Sequence, residues 1–262
     1  LWIGTDGNGL IKIYPKVNHF GLINRNNLAD LNKPVRAFTE ADGNLWVGTK
    51  GKGIVILKNF MNSLSIQSVK EGLNTSNGLA NNSVYVLKRG KEGYIYIGTD
   101  GQGIGIYDLG TKRIISWQEV VGTATLPFFG SVYAILEDKE NSLWLGTSGH
   151  GLIHIKLEKN AEGILKVGYF RQYLSGKQNG PANDIIYALS NGDDDRLWIA
   201  CRYGGLSVLD KKTGRFKTFK AFSSPNSLSN NDVLSLYKDK SKRLWIGTSY
   251  GLNMLSEEES LK

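Results

Sequence analysis

A ten-residue phrase returns six times: LWIGTDGNGL at 1–10, LWVGTKGKGI at 45–54, IYIGTDGQGI at 95–104, LWLGTSGHGL at 143–152, LWIACRYGGL at 197–206 and LWIGTSYGLN at 244–253. Its aromatic second residue falls at Trp2, Trp46, Tyr96, Trp144, Trp198 and Trp245, so the intervals are 44, 50, 48, 54 and 47 residues. A period of that length restricts the chain to an array of supersecondary units, either propeller blades or paired helices.

The local pattern decides for blades. The third unit reads SVYVLK, RGKEG, YIYIGT, DGQG, IGIYD, LGTKR, IISWQEV, which is four β-rich runs separated by turn residues. The fifth repeats the scheme with IIYALS, RLWIA, GLSVLD and RFKTFK. Apolar residues recur at i, i+2 or in unbroken runs rather than at i, i+3, i+4, which argues against helices. In the first run of each unit Val35, Val84, Val132 and Val233 share one column. Ala37, Val86, Ala134 and Ser235 follow two residues later, and Tyr85, Tyr133 and Leu234 lie between. Such runs predict strands buried on both faces, as blade-on-blade stacking requires.

The expected fold is all-β: one propeller segment over 1–262, built of four-stranded antiparallel blades. Within the phrase, Trp2, Trp46, Tyr96, Trp144, Trp198 and Trp245 are assigned to wedging between blades. Gly4, Gly48, Gly98, Gly146 and Gly247 are assigned to close backbone approach. With strands labelled a to d in each unit, the first unit opens at strand b and the last runs out after strand c. The expectation is therefore about five and a half to six blades, incomplete at both ends, cut from a longer propeller.

Composition narrows the function. Of the 262 residues, 40% are hydrophobic and 10% aromatic, ample for a core. The net charge of +8 is scattered through the repeats without a basic block, so no nucleic-acid partner is expected. A single cysteine, Cys201, allows no intrachain disulfide and no multi-cysteine metal site. No run approaches the roughly 18 apolar residues that a membrane-spanning helix needs. The chain opens in mid-motif without an initiator Met, which predicts a processed product or an excised piece.

Recognition is expected where long d-to-a connections and b–c turns share a face, because irregular loops on a rigid scaffold carry most binding. The long connections are HFGLINRNNLADLNK, SVKEGLNTSNGLANN, EVVGTATLPFFG and QYLSGKQNGPAND. Phe128, Phe129, Tyr203, Arg202 and His150 supply the aromatic platforms and planar polar groups that a sugar site needs. Arg36 stands where other units carry Tyr or Leu. Its guanidinium either reaches into the central channel as a donor or finds water while its stem packs.

Enzyme signals are weak. His150 and His154 are four apart, but on a turn and a strand, so they do not form the paired face of a helical zinc motif. Asp193, Asp194 and Asp195 could attract Ca²⁺, yet read better as a solvated turn. Asp6 and Asp100 could be imagined as an acid–base pair, although nothing in the sequence selects them. No nucleophile elbow, phosphate loop or dinucleotide fingerprint occurs. No catalytic residue, metal or cofactor is assigned.

The stretches NNSVYVLKRGKEGYIYIGTDGQGIGIYD and NNDVLSLYKDKSKRLWIGTSYGLNML resemble the two-component regulator propeller repeat, and the resemblance recurs in all six units. Tyr96 replaces the usual Trp, and Ala200–Cys201 replace Gly-Thr. Such propellers are similar to the periplasmic sensor regions of hybrid two-component histidine kinases of gut bacteria. The resemblance implies a non-enzymatic periplasmic segment that senses a glycan fragment and signals to a kinase elsewhere in the parent chain. It implies as partners an oligosaccharide or other small ligand, the rest of its own sensor chain, and a second copy in a homodimer. A propeller lyase or hydrolase acting on polysaccharide, and a protein-interaction platform, are the alternatives.

Overall fold

The computed structural model describes residues 2–5, 9–13, 20–23, 31–58, 70–73, 78–101, 103–122, 124–127, 129–177, 179–193, 195–224 and 226–256. The chain has an all-β propeller architecture of antiparallel sheets and divides into two compact units, Leu1–Val132 and Tyr133–Lys262. Among the described residues, four of six sheets have four strands and two have three, and strand order in each sheet follows the chain.

The first unit begins with β1 (Trp2–Thr5), β2 (Gly9–Ile13) and β3 (Phe20–Ile23). The next sheet comprises β4 (Val35–Ala41), β5 (Asn44–Thr49), β6 (Ile54–Leu57) and β7 (Lys70–Leu73). The third comprises β8 (Val84–Arg89), β9 (Tyr94–Thr99), β10 (Ile104–Asp108) and β11 (Arg113–Ile115), followed by a short helix, α1 (Trp117–Val121).

From its second residue onward β12 (Val132–Glu137) belongs to the second unit, with β13 (Ser142–Thr147), β14 (Leu152–Lys159) and β15 (Leu165–Tyr173). Then come β16 (Ile186–Asn191), β17 (Arg196–Cys201), β18 (Gly205–Asp210) and β19 (Arg215–Phe219). The last sheet is β20 (Val233–Lys238), β21 (Leu244–Thr248) and β22 (Gly251–Leu255).

The repeated phrase forms the second strand of a blade, and its residues are buried along β9 and β13 without a break. A strand covered on both faces needs a neighbour that can come close, and glycine permits it. A Cβ on Gly48 would lie 2.7 Å from Val84 Cγ1, and one on Gly146 would lie 2.7 Å from Ile186 Cγ2 and 3.0 Å from the Ile186 carbonyl oxygen. In both units the glycine of one sheet therefore receives the β-branched residue that opens the first strand of the next. A Cβ on Gly98 would lie 2.5 Å from Val86 Cγ1 and 2.6 Å from the Val132 carbonyl oxygen, and one on Gly247 would meet Ser235 of its own sheet.

The aromatic residues Trp46, Tyr96, Trp144 and Trp198 are buried, and Trp245 is half-buried. A buried indole N–H needs an acceptor. Trp144 Nε1 donates to Asp138 Oδ2 and Trp245 Nε1 to Asp239 Oδ2, each at 2.9 Å. At the matching position the other sheets carry Ala41, Gly90 and Gly192. Trp46 Nε1 is accordingly buried without a partner. Gly90 and Gly192 leave room for the Tyr96 and Trp198 rings, which a Cβ would approach to 2.6 and 2.9 Å.

Three expectations are corrected. The run IISWQEV, read as one strand, is β11 followed by α1, because Ser116 and Glu119 make a reciprocal capping box. Two of the stretches read as connections contain the strands β3 and β7. The column of Tyr85, Tyr133 and Leu234, read as buried, is half-buried or exposed; at Tyr85 and Leu234 the cause is a bulge in the strand. Trp2 and Gly4 fall on β1, and their side-chain environment lies outside the described residues.

Gly146→Ala forces a methyl group against the Ile186 backbone and should cost about 1–3 kcal/mol of stability, read by urea denaturation. Gly149→Ala, where no atom lies within 4 Å of the added carbon, separates that packing term from positive-φ strain, since only the strain acts there.

Candidate ligand-binding site on the first strands of the blades

In β4, β8, β16 and β20 the pairing with the next strand skips one residue: Arg36, Tyr85, Tyr187 and Leu234 respectively. Tyr133 holds the same position in β12, directly after Val132. A bulge leaves its extra residue out of the ladder and re-aims its side chain. This is why Arg36 and Leu234 are exposed and Tyr85 and Tyr187 only half-buried, although each follows a buried Val or Ile; Tyr133 is half-buried as well.

In the first unit the Arg36 guanidinium lies 4.4 Å from the centre of the Tyr85 ring, a cation–π contact rather than a free donor. The second unit gathers more chemistry. The Tyr133 and Tyr187 rings lie 5.7 Å apart at a 31° tilt. Arg202 N donates to the Ile185 carbonyl at 2.9 Å, which anchors the turn after β17 beside Tyr187. The Arg202 guanidinium sits 4.9 Å from the Tyr203 ring centre. Tyr203 N donates to Asp232 Oδ1 at 3.3 Å, and Ser249 Oγ donates to Asp232 Oδ2 at 2.7 Å.

Electrostatics ties these groups together. Burial raises the Tyr187 pKa, Arg202 pulls it down, and Asp232, Tyr133 and Tyr203 push it up. A hydrogen bond to Tyr203 makes Arg202 more basic still, with Tyr187 acting in the same direction. The cluster thus presents two tilted aromatic faces, a permanently charged planar donor and a carboxylate already held by two donors.

Tyr203 is 66% exposed, yet its φ is 53°. The three preceding blades place Gly51, Gly101 and Gly149 at this step, with φ of 98°, 76° and 92°. A tyrosine where the repeat uses glycine carries backbone strain of about 1–2 kcal/mol. Burial does not offset it, because the ring is in solvent. Strain retained on an exposed aromatic residue points to a role outside folding.

Of the residues selected from sequence, the structure brings Arg202 and Tyr203 together. Arg36 lies in the other unit on Tyr85. His150 sits in the β13–β14 turn, where its N–H donates to Thr147 Oγ1 and its carbonyl accepts from Gln172. Phe129 is 1% exposed and packs edge to face on Trp117, so it is a core residue and not a platform. Phe128 and Asp6 lie outside the described residues. Asp193 and Asp195 are paired with Lys238 and Lys212, and among the described residues no three potential ligands gather for a metal. Asp100 accepts from Ser131 Oγ at 2.7 Å.

Sequence reasoning missed Tyr187 and Asp232 and treated Tyr133 as core. The available signal was Tyr203 itself, which with Tyr250 departs from a column where the other four repeats carry glycine.

His154 belongs to a separate, buried cluster. Its ring stacks on Trp144 at 3.8 Å and 7°, and its Nε2 is buried without a hydrogen bond. Burial pushes its pKa down to about 4; Asp138 opposes the fall, whereas Lys211 and Arg171 add to it. Asp138 itself stays below the usual carboxylate range: burial opposes its charge, but the Trp144 indole and the Glu140 and Ser142 backbone N–H groups outweigh it.

A profile of the family described as "Two component regulator propeller" matches residues 78–101, 128–149 and 227–250, and the chain carries that repeat at these three places. No curated protein sequence matches the chain. Among solved structures, it is similar to the extracellular domain of a hybrid two-component system of B. thetaiotaomicron, at 23% identity and a TM-score of 0.70 over 98% of this chain and 32% of that one. It is also similar to the extracellular domain of a one-component system of the same organism, at 22% identity and a TM-score of 0.73 over 97% of this chain and 31% of that one. A third is PorZ, a surface component of the type-IX secretion system of Porphyromonas gingivalis, at 20% identity and a TM-score of 0.71 over 98% of this chain and 37% of that one. At these identities the likeness is one of fold, and the chain spans about a third of the length of each.

Two predictions follow from this geometry. Tyr203→Gly should leave stability unchanged or raise it by up to about 1 kcal/mol in urea denaturation; a loss would make Tyr203 a packing residue. For His154, the unfolded ring takes a proton near pH 6.5 and the folded ring only near 4. Its neutral form therefore contributes stability above pH 6.5 that is lost as pH falls toward 4. The melting temperature of the native protein should drop across that window, and His154→Phe should flatten the drop.

Proposed function

We propose that this chain is a ligand-sensing propeller segment of a signalling protein and that the Tyr133–Tyr187–Arg202–Tyr203–Asp232 cluster binds a glycan fragment. The observation that carries it is the strained, exposed Tyr203 under the Arg202 guanidinium, beside the Tyr133–Tyr187 pair. Aromatic faces accept the C–H surface of a sugar ring, and a planar guanidinium with a carboxylate satisfies its hydroxyl groups. Residues 1–262 are then one segment of about five and a half to six blades, acting outside the cytoplasm, in the periplasm. The extracellular nature of the similar bacterial domains and the matched repeats support this.

Signalling requires that two states of the parent assembly differ in ligand affinity, because a ligand shifts an equilibrium only by its differential binding. A histidine kinase in the parent chain and a homodimer belong to the same proposal. Among the described residues no helix is long and apolar enough to cross a membrane.

The test is calorimetry of the chain against a panel of glycan fragments, with a parallel assay for bond cleavage. Arg202→Ala and Tyr187→Ala should each weaken the best fragment by about tenfold or more while the melting temperature holds. Cleavage products would assign the chain to the propeller enzymes. Binding that survives both substitutions would move the site elsewhere.

A further inference from the structure

Basic residues scattered along the sequence gather in one place in the first unit. Lys50 and Lys52 lie in the β5–β6 turn, Lys33 stands just before β4, and Arg36 is the residue that the β4–β5 pairing skips. All four are exposed. Backbone contacts bring their segments together: Lys50 N donates to the Pro34 carbonyl at 2.9 Å, and Gly51 N and Gly53 N both donate to the Asn82 carbonyl, at 2.9 and 2.7 Å. Lys50 also forms an antiparallel bridge with Ser83, and the Arg36 guanidinium lies on the Tyr85 ring two residues further along. Lys52 N donates to Thr49 Oγ1 at 3.1 Å, which fixes the turn from within.

The repeat does not require these cations. Three residues before the skipped position, where this sheet has Lys33, the others with the same skip have Asn82, Asp184 and Asn231. In the turn after the second strand, the position of Lys50 holds Asp100, Ser148, Arg202 and Ser249, and that of Lys52 holds Gln102, His150 and Gly204. Nor do carboxylates balance them. Lys211, Lys212, Lys238 and Arg243 are paired with Asp138, Asp195, Asp193 and Asp239, whereas among the described residues Lys33, Arg36 and Lys50 form no ion pair. The neighbouring turn does carry Asp100, but its carboxylate accepts from Ser131 Oγ. Like charges held together without counter-charges destabilise a fold and raise a local positive potential that concentrates anions.

We propose that Lys33, Arg36, Lys50 and Lys52 form a binding site for an acidic saccharide, whose sulfate or carboxylate groups they meet. Stacking on a ring fixes the plane of a guanidinium and leaves its in-plane N–H groups to grip an oxyanion. A turn clamped through its backbone presents its lysines without the cost of ordering a loop. Tyr85 is half-buried under Arg36, so the site offers discrete cations rather than an open stacking platform. That suits charged groups on a hydroxylated scaffold better than the bases of a nucleic acid. The site shares no residue with the tyrosine cluster of the second unit and stands independently of the reading given for it.

The probes are sucrose octasulfate and trigalacturonate, titrated calorimetrically into the intact chain with sucrose as the uncharged control. One or both charged probes should bind saturably and more weakly as salt is raised, the stronger naming the oxyanion, and sucrose should not bind. Lys50→Glu should weaken binding about tenfold or more while the melting temperature at low salt holds or rises. Lys139→Glu, the same change of net charge on an exposed turn of the second unit, and Arg202→Ala should both leave it unchanged. The proposal is overturned if neither charged probe binds, if Lys50→Glu and Lys139→Glu weaken binding equally, or if Arg202→Ala abolishes it. It is overturned too if only vesicles of equal parts phosphatidylglycerol and phosphatidylcholine bind and Lys50→Glu releases them, which would give the patch to a membrane surface.

Discussion

The structure depends on close approach between neighbouring sheets, and glycine makes it possible. Gly48 under Val84 and Gly146 under Ile186 leave no room for even a methyl group. Around each contact, unbroken apolar strands such as Leu143–Leu145 and Ile95–Ile97 are covered on both faces. Close packing of this kind tolerates little change in volume. In these two contacts the phrase supplies the same small residue beside the same large ring, because Gly48 and Gly146 each receive the first residue of the next sheet's first strand.

What varies between repeats is therefore informative. Beside the buried ring, Asp138 and Asp239 serve an indole N–H, while Gly90 and Gly192 yield space to a ring, and Ala41 does neither. In the turn after the second strand, Tyr203 replaces glycine and keeps a left-handed backbone without the compensation of burial. The first kind of variation adjusts packing. The second costs stability and lies beside Arg202, Tyr187 and Asp232, and so is the kind expected at a recognition site.

The two titrating clusters of the second unit behave differently for a physical reason. His154 is stacked and half-buried with its Nε2 out of solvent, so its neutral form is favoured and its influence is on stability in acid. Arg202 is solvated and cannot lose its charge near neutral pH, so it can meet a polar ligand without a change of protonation.

The sequence by itself determined the blade. A period near 50 residues, alternating or continuous apolar runs and glycine-rich turns admitted only antiparallel sheets, because those patterns report backbone geometry residue by residue. The helix at Trp117–Val121 lay outside that reading, because its Ser116–Glu119 capping box interrupts a run of β-rich residues. Tertiary structure alone decided the site. Tyr133 and Tyr187 look like core in the one-dimensional pattern, since each follows a buried Val or Ile, but both are only half-buried, and at Tyr187 a bulge turns the residue out of the ladder. Phe129 looks like a surface aromatic in a loop, and packs into the core on Trp117. Register shifts and loop burial arise from contacts between residues far apart in the chain, and local periodicity carries no record of them.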